Sequence, residues 1–160
     1  MPQKDSPGLS RAFIALGANL GDRETSLRRA LTWLAATPGV EVEAVSTFHH
    51  TAPVGPPQPA YLNAVARLRT ELSPRALLDV LRSLETAAGR RRGEVWGPRT
   101  LDLDLLVFDH VVLNTPDLVL PHPRMAQRRF VLAPLCELNP QLLHPVLHRK
   151  MVGLLRELNE

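Results

Sequence analysis

Apolar and polar positions along this chain alternate between a period of two and helical spacing. A period of two predicts a strand, and apolar residues that recur every three or four positions predict a helix. The predicted strands are residues 11–16, 40–44, 61–72 and 101–108, and the predicted helices follow Asp22, follow Ser73-Pro74 and begin near Met151. Asp22 and Ser73 are N-cap residues, and Gly39 and Gly89 end the first two helices. The order β-α-β-β-α-β predicts an α+β, ferredoxin-like fold with a mainly antiparallel sheet and helices packed on it.

Four local features refine this outline. The alternation slips phase from Val45 towards Phe48, which predicts a bulge. Residues 111–113 are expected to pair with the strand 101–108 as a hairpin across Asp109-His110. Residues 51–59 contain four prolines and predict a long, stiff loop. Residues 1–10 are expected to form a loose tail on a single domain that spans 1–160.

Composition excludes several classes of protein. A chain of 160 residues, 44% of them apolar, buries roughly 70% of its unfolded surface and needs no disulfide or metal to fold. No segment approaches the ~20 apolar residues of a membrane span, and no signal-peptide core is present, so a cytoplasmic protein without a membrane partner is expected. The single cysteine, Cys136, predicts a buried structural thiol, and no Cys/His cluster has zinc spacing.

The charge is small in total and uneven along the chain. The formal net charge is +3, and 17 of the 19 basic residues are arginine. This excess reflects either coding bias or a need for planar, bidentate donors to phosphate or carboxylate. Residues 82–99 alone hold five Arg and two Glu, and they lie directly before two aspartates. Their position favours a local anionic ligand.

Asp102 and Asp104 are the main candidates for chemistry. In a strand they point to the same side, about 6–7 Å apart. Leu106 and Phe108 continue that side, and the opposite side carries Leu101, Leu103, Leu105 and Val107. The alternative is a solvated strand end, but apolar residues on both sides count against it. Mg²⁺ takes one or two carboxylates and completes its shell with water and phosphate oxygens, so two such ions over a triphosphate fit this pair.

Other residues near these acids carry separate predictions. Arg90, Arg92 and Arg99 supply forked donors that match phosphate oxygens. Glu85 falls on the apolar stripe of its helix, where a carboxylate needs a partner, and an arginine of the following loop is expected to supply it. His122 lies between two prolines and reads either as a structural histidine or as a ligand contact. The chain has no P-loop, dinucleotide fingerprint or nucleophile elbow.

At these residues the chain resembles the 6-hydroxymethyl-7,8-dihydropterin pyrophosphokinase family. The resemblance rests on W-G-P-R-T-L-D-L-D at 96–104, on residues 12–20, on T-A-P-V-G and Q-P-A-Y-L-N within 51–63, and on P-H-P-R-M at 121–125 through Arg128 and Phe130. It implies transfer of the β,γ-diphosphate of ATP to the hydroxymethyl oxygen of the dihydropterin in folate biosynthesis, with release of AMP.

The resemblance also implies roles for individual residues. Asp102 and Asp104 would bind two Mg²⁺ ions, with Arg90 and Arg99 as further catalytic groups. Contacts to ATP would come from Glu85, Arg90, Arg92, Leu105, His122 and Arg128. Contacts to the pterin would come from Thr51, Val54, Tyr61, Asn63, Trp96 and Phe130. ATP and the dihydropterin would be the partners, with no nucleic acid, and the state would be a monomer or a weak dimer.

Two other functions share some of these features. A ferredoxin-like RNA-binding module fits the basic balance, but it needs exposed aromatic residues on the sheet, and aromatic residues make up only 4% of this chain. A two-metal phosphodiesterase shares the carboxylates, but it usually needs more metal ligands than this chain supplies.

Overall fold

A computed structural model describes residues 9–19, 22–51, 61–89 and 101–158. In order, the elements are β1 (Ser10–Ala18), α1 (Arg23–Ala36), β2 (Val40–Val45), β3 (His49–Thr51), β4 (Tyr61–Thr70), α2 (Pro74–Ala87), β5 (Asp102–Phe108), β6 (Leu113–Asn114), β7 (Val119–Leu120), a 3-10 turn (Met125–Gln127), α3 (Arg129–Leu138) and α4 (Met151–Leu158). Residues 1–8 of the expected tail, the proline-rich loop at 52–60 and the arginine-rich loop at 90–100 lie outside the described residues.

The main sheet has the strand order β2-β4-β1-β5, and its neighbours run antiparallel. The short strand β3 pairs with β4 beyond β2, on the same edge. With α1 after β1 and α2 after β4, this is the predicted α+β, ferredoxin-like arrangement. The central strand β1 therefore lies between the strand that carries Asn63 and the strand that carries the two aspartates.

The two faces of the sheet pack against different helices. On the first face, Ile14, Leu16 and Leu68 belong to a buried cluster that includes residues of α1 and α2. On the second face, Phe13 and Val65 belong to a cluster that includes residues of α3 and α4. Because side chains alternate along a strand, neighbouring residues of β1 and β4 point into opposite layers. None of the helices in the described part of the chain has both the length and the apolar character needed to cross a membrane.

Local signals place the first two helices as predicted. The Asp22 carboxylate accepts a hydrogen bond from the Thr25 backbone N–H at 3.0 Å, and Ser73 Oγ accepts one from the Ala76 N–H at 3.1 Å. Gly39 and Gly89 follow the two helices with φ of 82° and 104°, a region that glycine enters without steric cost. These caps fix where each helix returns the chain to the sheet.

In the second half of β5, the faces on which the side chains lie differ from the prediction. The pairing with β1 shifts register between Phe13 and Ile14, which leaves Leu106 as the extra residue of a bulge. Leu106 and Val107 both join the second-face cluster, and Phe108 joins the first-face cluster. The prediction that Phe108 shares a side with the carboxylates, and that Val107 lies opposite, was therefore wrong.

The predicted phase slip exists but lies earlier in the chain. Val42 pairs with Leu68 and Ala44 with Arg67, so Glu43 is the bulged residue of β2. After Val45 the strand ends, residues 46–48 belong to no strand, and β3 begins at His49. The side chain of Glu43 at the bulge and the segment before β3 both make tertiary contacts, which are described below.

The predicted hairpin of residues 111–113 with β5 was wrong. β6 pairs with β7 in a separate two-stranded sheet. The chain turns away from β5 at Asp109, which has φ 48° and exchanges hydrogen bonds with Arg11: the Asp109 N–H donates to the Arg11 carbonyl, and the Arg11 N–H donates to the Asp109 carboxylate. This exchange ties the end of β5 to the start of β1 and diverts the following residues.

The remaining predictions concern the end of the chain. The strand predicted over 61–72 ends at Thr70, and the helix predicted near Met151 is α4. Cys136 lies half-buried against the second-face cluster, and burial raises the pKa of its thiol. It is thus a packed thiol, less buried than predicted.

Candidate functional site

The two aspartates lie side by side on the second face of the sheet. Asp102 is in register with Gly17 of β1, and Asp104 with Ala15, so both carboxylates project to the same side, as predicted. Both residues are half-buried. Among the described strands β5 ends the main sheet on this side, so these acids stand at its margin.

Asn63 extends the same row to β4. It pairs with Gly17 on the side of β1 opposite Asp102, so Asn63, Gly17 and Asp102 form one line across three strands. Two strand spacings separate Asn63 from Asp102, which is about 10 Å between Cα atoms. Asn63 is only 7% exposed, and its Nδ2 donates to Thr51 Oγ1 at 2.7 Å. This bond orients the amide and leaves its other donor and its oxygen lone pairs for further partners.

Gly17 has a role at the centre of this row that the sequence reasoning did not identify. A Cβ on residue 17 would lie 3.1 Å from Asn63 Oδ1 and 3.7 Å from the ring of Tyr61. The missing side chain therefore makes room for both groups. A glycine inside a strand often marks such a close approach, and this was the available signal.

Glu85 is buried as predicted, with a partner that was not predicted. The residue is 7% exposed, and its carboxylate accepts a hydrogen bond from the Leu103 backbone N–H at 2.8 Å. Leu103 lies between the two aspartates, so α2 fixes the backbone that carries them. The arginine expected as a partner falls within 90–100, outside the described residues.

His122 lies beside Asp104 at the margin of β5. Its backbone N–H donates to the Leu106 carbonyl at 2.8 Å, and its Nδ1 accepts from the Arg124 N–H at 3.2 Å. Burial lowers the pKa of the imidazole, and the charges of Arg128 and Arg124 lower it further, against the opposing effect of Asp104. The neutral ring therefore carries its proton on Nε2 and presents it as a donor.

Aromatic and basic side chains lie at the start of α3 and at the start of β4. Phe130 is 40% exposed, and the Arg128 guanidinium stands 5.6 Å from the centre of its ring. Tyr61 is half-buried, on the same side of β4 as Asn63. Phe130 thus retains exposed ring surface, and the side chain of Arg128 lies over it.

Two further residues near this row differ in their surroundings. Leu105 is 4% exposed and lies in the first-face cluster, on the side of β5 away from the carboxylates. Asn19, directly after β1, is 5% exposed, and within the described residues its Oδ1 has no hydrogen-bond partner. An unsatisfied buried acceptor is costly, so Asn19 joins the candidate site residues, which the sequence reasoning did not include.

The remaining predicted site residues lie outside the described residues: they are Val54, Arg90, Arg92, Trp96 and Arg99. Across residues 9–19, 22–51, 61–89 and 101–158, no three His, Cys, Asp or Glu side chains come together as a ready-made metal cage. Two adjacent carboxylates still suit Mg²⁺, since that ion completes its shell with water and phosphate oxygens.

The class of protein follows from this geometry: a ferredoxin-like α+β protein with paired carboxylates, a buried amide and aromatic rings around one sheet face. A sequence model of the family described as 7,8-dihydro-6-hydroxymethylpterin-pyrophosphokinase (HPPK) matches residues 13–140. The chain belongs to this family.

Two curated relatives carry the name 2-amino-4-hydroxy-6-hydroxymethyldihydropteridine pyrophosphokinase. The protein of Bacillus subtilis (strain 168) is 46% identical over 132 residues, which cover 82% of this chain and 79% of the relative. The protein of Pseudomonas aeruginosa is 43% identical over 138 residues, which cover 86% and 85%. Identity of this extent over most of both chains agrees with the family match.

Solved structures support the fold. A Plasmodium falciparum HPPK-DHPS A437G structure with SDX-DHP aligns with a TM-score of 0.77 at 13% identity, over 96% of this chain. This chain spans 46% of the length of that one. At such low identity the similarity concerns the fold alone.

Proposed function

We propose that this protein transfers the β,γ-diphosphate of ATP to the hydroxymethyl group of 6-hydroxymethyl-7,8-dihydropterin, as a step of folate biosynthesis. The observation that carries the proposal is the row Asn63–Gly17–Asp102, with Asp104 one row further along β5. It puts a buried amide and a carboxylate pair on one face, about 10 Å apart. A bicyclic heterocycle held at the amide would extend towards the acids.

Asn63, Tyr61 and Phe130 would bind the pterin. The Asn63 amide offers both a donor and an acceptor to the amide edge of the ring, and the aromatic side chains offer flat apolar surfaces to its faces. Thr51 orients Asn63 through the 2.7 Å hydrogen bond. Val54 and Trp96 are proposed contacts from the resemblance alone.

The nucleotide would bind on the other side of the row. His122 would donate from Nε2 to a phosphate oxygen, and Arg128 with Arg90, Arg92 and Arg99 would supply positive charge for the triphosphate. Glu85 would act on ATP indirectly, by fixing the backbone at Leu103. A contact of Leu105 with the adenine is proposed from the resemblance.

Asp102 and Asp104 would hold two Mg²⁺ ions. When bound, such ions neutralise the triphosphate and orient its oxygens. The hydroxymethyl oxygen would attack the β-phosphorus, the bond from that phosphorus to the α,β-bridging oxygen would break, AMP would leave, and the hydroxyl proton would pass to solvent. Phosphoryl transfer depends mainly on positioning and charge stabilisation, which suits a site built from acids, arginines and a neutral histidine.

The experiment is a product assay with ATP, Mg²⁺ and the dihydropterin, followed by identification of the nucleotide. AMP that forms only when the pterin is present is the expected result. ADP as the product, or nucleotide turnover that ignores the pterin, would contradict the proposal. The expected cytoplasmic location, the single domain over 1–160 and the monomeric or weakly dimeric state stay predictions.

A further inference from the structure

A hydrogen-bonded group joins α3 to the segment that leads into β3. The Thr47 backbone N–H donates to the Glu137 carboxylate at 2.8 Å, and Thr47 Oγ1 lies 2.9 and 2.8 Å from its two oxygens. His49 Nε2 also pairs with this carboxylate and lies 3.3 Å from Thr47 Oγ1. The contacts with Glu137 span about ninety residues of sequence, so they fix tertiary structure and not a local turn.

β3 needs such an anchor because it is short and lies at an edge. It has three residues and pairs with β4 alone among the described strands. The three residues before it, 46–48, belong to no strand. A strand of this length is marginal by itself. Glu137 binds the chain immediately before β3 and at its first residue, and so sets the position of β3 relative to α3.

β3 in turn carries a side chain of the proposed pterin site. His49 is in register with Asn63, and Thr51 with Tyr61. Thr51 Oγ1 accepts the hydrogen bond that orients the Asn63 amide. A displacement of β3 would therefore move Thr51 and release that amide.

α3 also carries Phe130, one of the proposed aromatic contacts of the pterin, near its other end. Phe130 precedes Glu137 by seven residues, which is two helical turns, so the two side chains share a face of α3 about 10.5 Å apart along the axis. α3 thus carries a ring near one end and the anchor of β3 near the other. The distance between Phe130 and Asn63 depends on both attachments.

We propose that Glu137 is a positioning residue for the dihydropterin: through Thr47 and His49 it holds β3, and with it the Thr51–Asn63 hydrogen bond, in register with Phe130. This inference rests on the proposed function. Partial burial acts to raise the pKa of Glu137, but the hydrogen bonds from Thr47 and His49 outweigh it and lower the pKa, so the anchor is ionised at neutral pH.

The test separates the two substrates kinetically. Glu137→Ala is expected to raise the KM for the dihydropterin about tenfold and to change the KM for ATP less than about twofold, because only the pterin side loses its alignment. Glu137→Gln, which retains one acceptor oxygen, should recover part of the loss. Glu157→Ala is the matched control: it removes another glutamate ion pair, with Arg149, on the neighbouring helix α4, and both KM values should stay unchanged.

Each outcome has a defined meaning. Equal increases in both KM values, or none, would overturn the positioning role while wild-type turnover leaves the proposed function intact. No AMP formation by the wild-type protein would instead overturn the proposed function itself. If Glu137→Ala does not fold, Thr47→Val decides by the same ratio of KM values, since it removes only the hydroxyl and keeps the shape of the side chain.

Discussion

Individual residues at the margin of the sheet carry the electrostatic part of the site. Asp102 and Asp104 place two like charges on one face of one strand, and such a pair is costly unless a cation shares it. The Leu103 backbone between them is held by the Glu85 carboxylate at 2.8 Å, on the far side of the strand from the acids. Glu85 therefore fixes the backbone between the two carboxylates, in the geometry in which they would share the proposed cations.

Replacing either aspartate should separate catalysis from stability. Asp102→Asn and Asp104→Asn are each expected to lower kcat by a factor on the order of 10²–10³ or more, because a neutral amide is a poor ligand for Mg²⁺. The Tm of Asp104→Asn should not fall, since this change removes a like-charge repulsion and keeps the volume of the side chain. Steady-state kinetics and thermal unfolding of the same preparations measure both quantities.

Asp79→Asn is the control for these variants. Asp79 lies exposed on α2, so the same chemical change there should leave both kcat and Tm as in the wild type. Full activity in both site variants would remove the metal-binding role of the pair.

At the residue scale, the sequence predicted the face and the burial of a side chain better than its hydrogen-bond partner. The i, i+2 spacing of the aspartates was enough to place them on one face, and the spacing of Glu85 from Leu81 was enough to bury it. The partner of Glu85, a backbone N–H eighteen residues away, was not predictable, because any donor satisfies a buried carboxylate. Gly17 carries no side chain, and so its role emerged only from its neighbours on β4.

Among the elements, the two bulges shape what the sheet presents. In β5 the extra residue Leu106 turns the strand so that Leu106 and Val107 both pack under α3. In β2 the extra residue Glu43 reaches three arginines: Arg11 on β1 at 3.0 Å, and Arg67 and Arg69 on β4 at 3.2 and 3.6 Å. Glu43 thereby joins three strands at the end of the sheet away from the aspartates.

Glu43 should give the fold a measurable acid sensitivity. Partial burial acts to raise the pKa of Glu43, but the hydrogen bond and charge of Arg11 and the charges of Arg67 and Arg69 outweigh it, so the pKa falls below the ordinary 4.5. A carboxyl whose pKa is lowered by folding stabilises the fold fully above its unfolded value and loses that contribution as the pH falls through its folded value.

Glu43→Gln is therefore expected to lower the Tm at pH 7 by about 2–4 °C, which corresponds to ~1 kcal/mol for a chain of this length. The difference in Tm between the wild type and the variant should become smaller below pH 4.5. Thermal unfolding of both proteins across pH 3–7 measures it, and a gap of constant size over that range would contradict the assignment.

The bulges also explain where element prediction failed. A period of two assumes an unbroken pleat, so one extra residue reverses every later assignment in the strand, as it did for Val107 and Phe108. The hairpin predicted after β5 failed for another reason. Asp109 is held by Arg11 at the start of the chain, a contact that no local pattern contains.

For the whole molecule, the order of elements was predictable and the assembly of the site was partly so. Capping residues, helical stripes and alternation were enough for a ferredoxin-like fold, because each of these signals is local. The candidate site unites residues of β1, β3, β4, β5, α2, α3 and the segment at His122, and its row across three strands depends on register. That register was not contained in any single motif.

The same scale decides between the alternative functions. An RNA-binding ferredoxin-like module needs an open sheet face with aromatic side chains. Here α1 and α2 pack on one face and α3 on the other, and family membership agrees with a small-molecule enzyme. Under the proposed function Arg90, Arg92 and Arg99 would serve one polyphosphate, whereas Arg11, Arg67 and Arg69 pair with the structural carboxylate of Glu43.

The central claim is that the β- and γ-phosphorus atoms of ATP are transferred together to the dihydropterin. Positional labelling of ATP tests this claim most directly. With the dihydropterin and Mg²⁺ present, label at the β- or γ-phosphorus should appear in the pterin product, and label at the α-phosphorus should remain in AMP. Label at the β-phosphorus that stays with the nucleotide as ADP, while the γ-label moves to the pterin, would contradict the account.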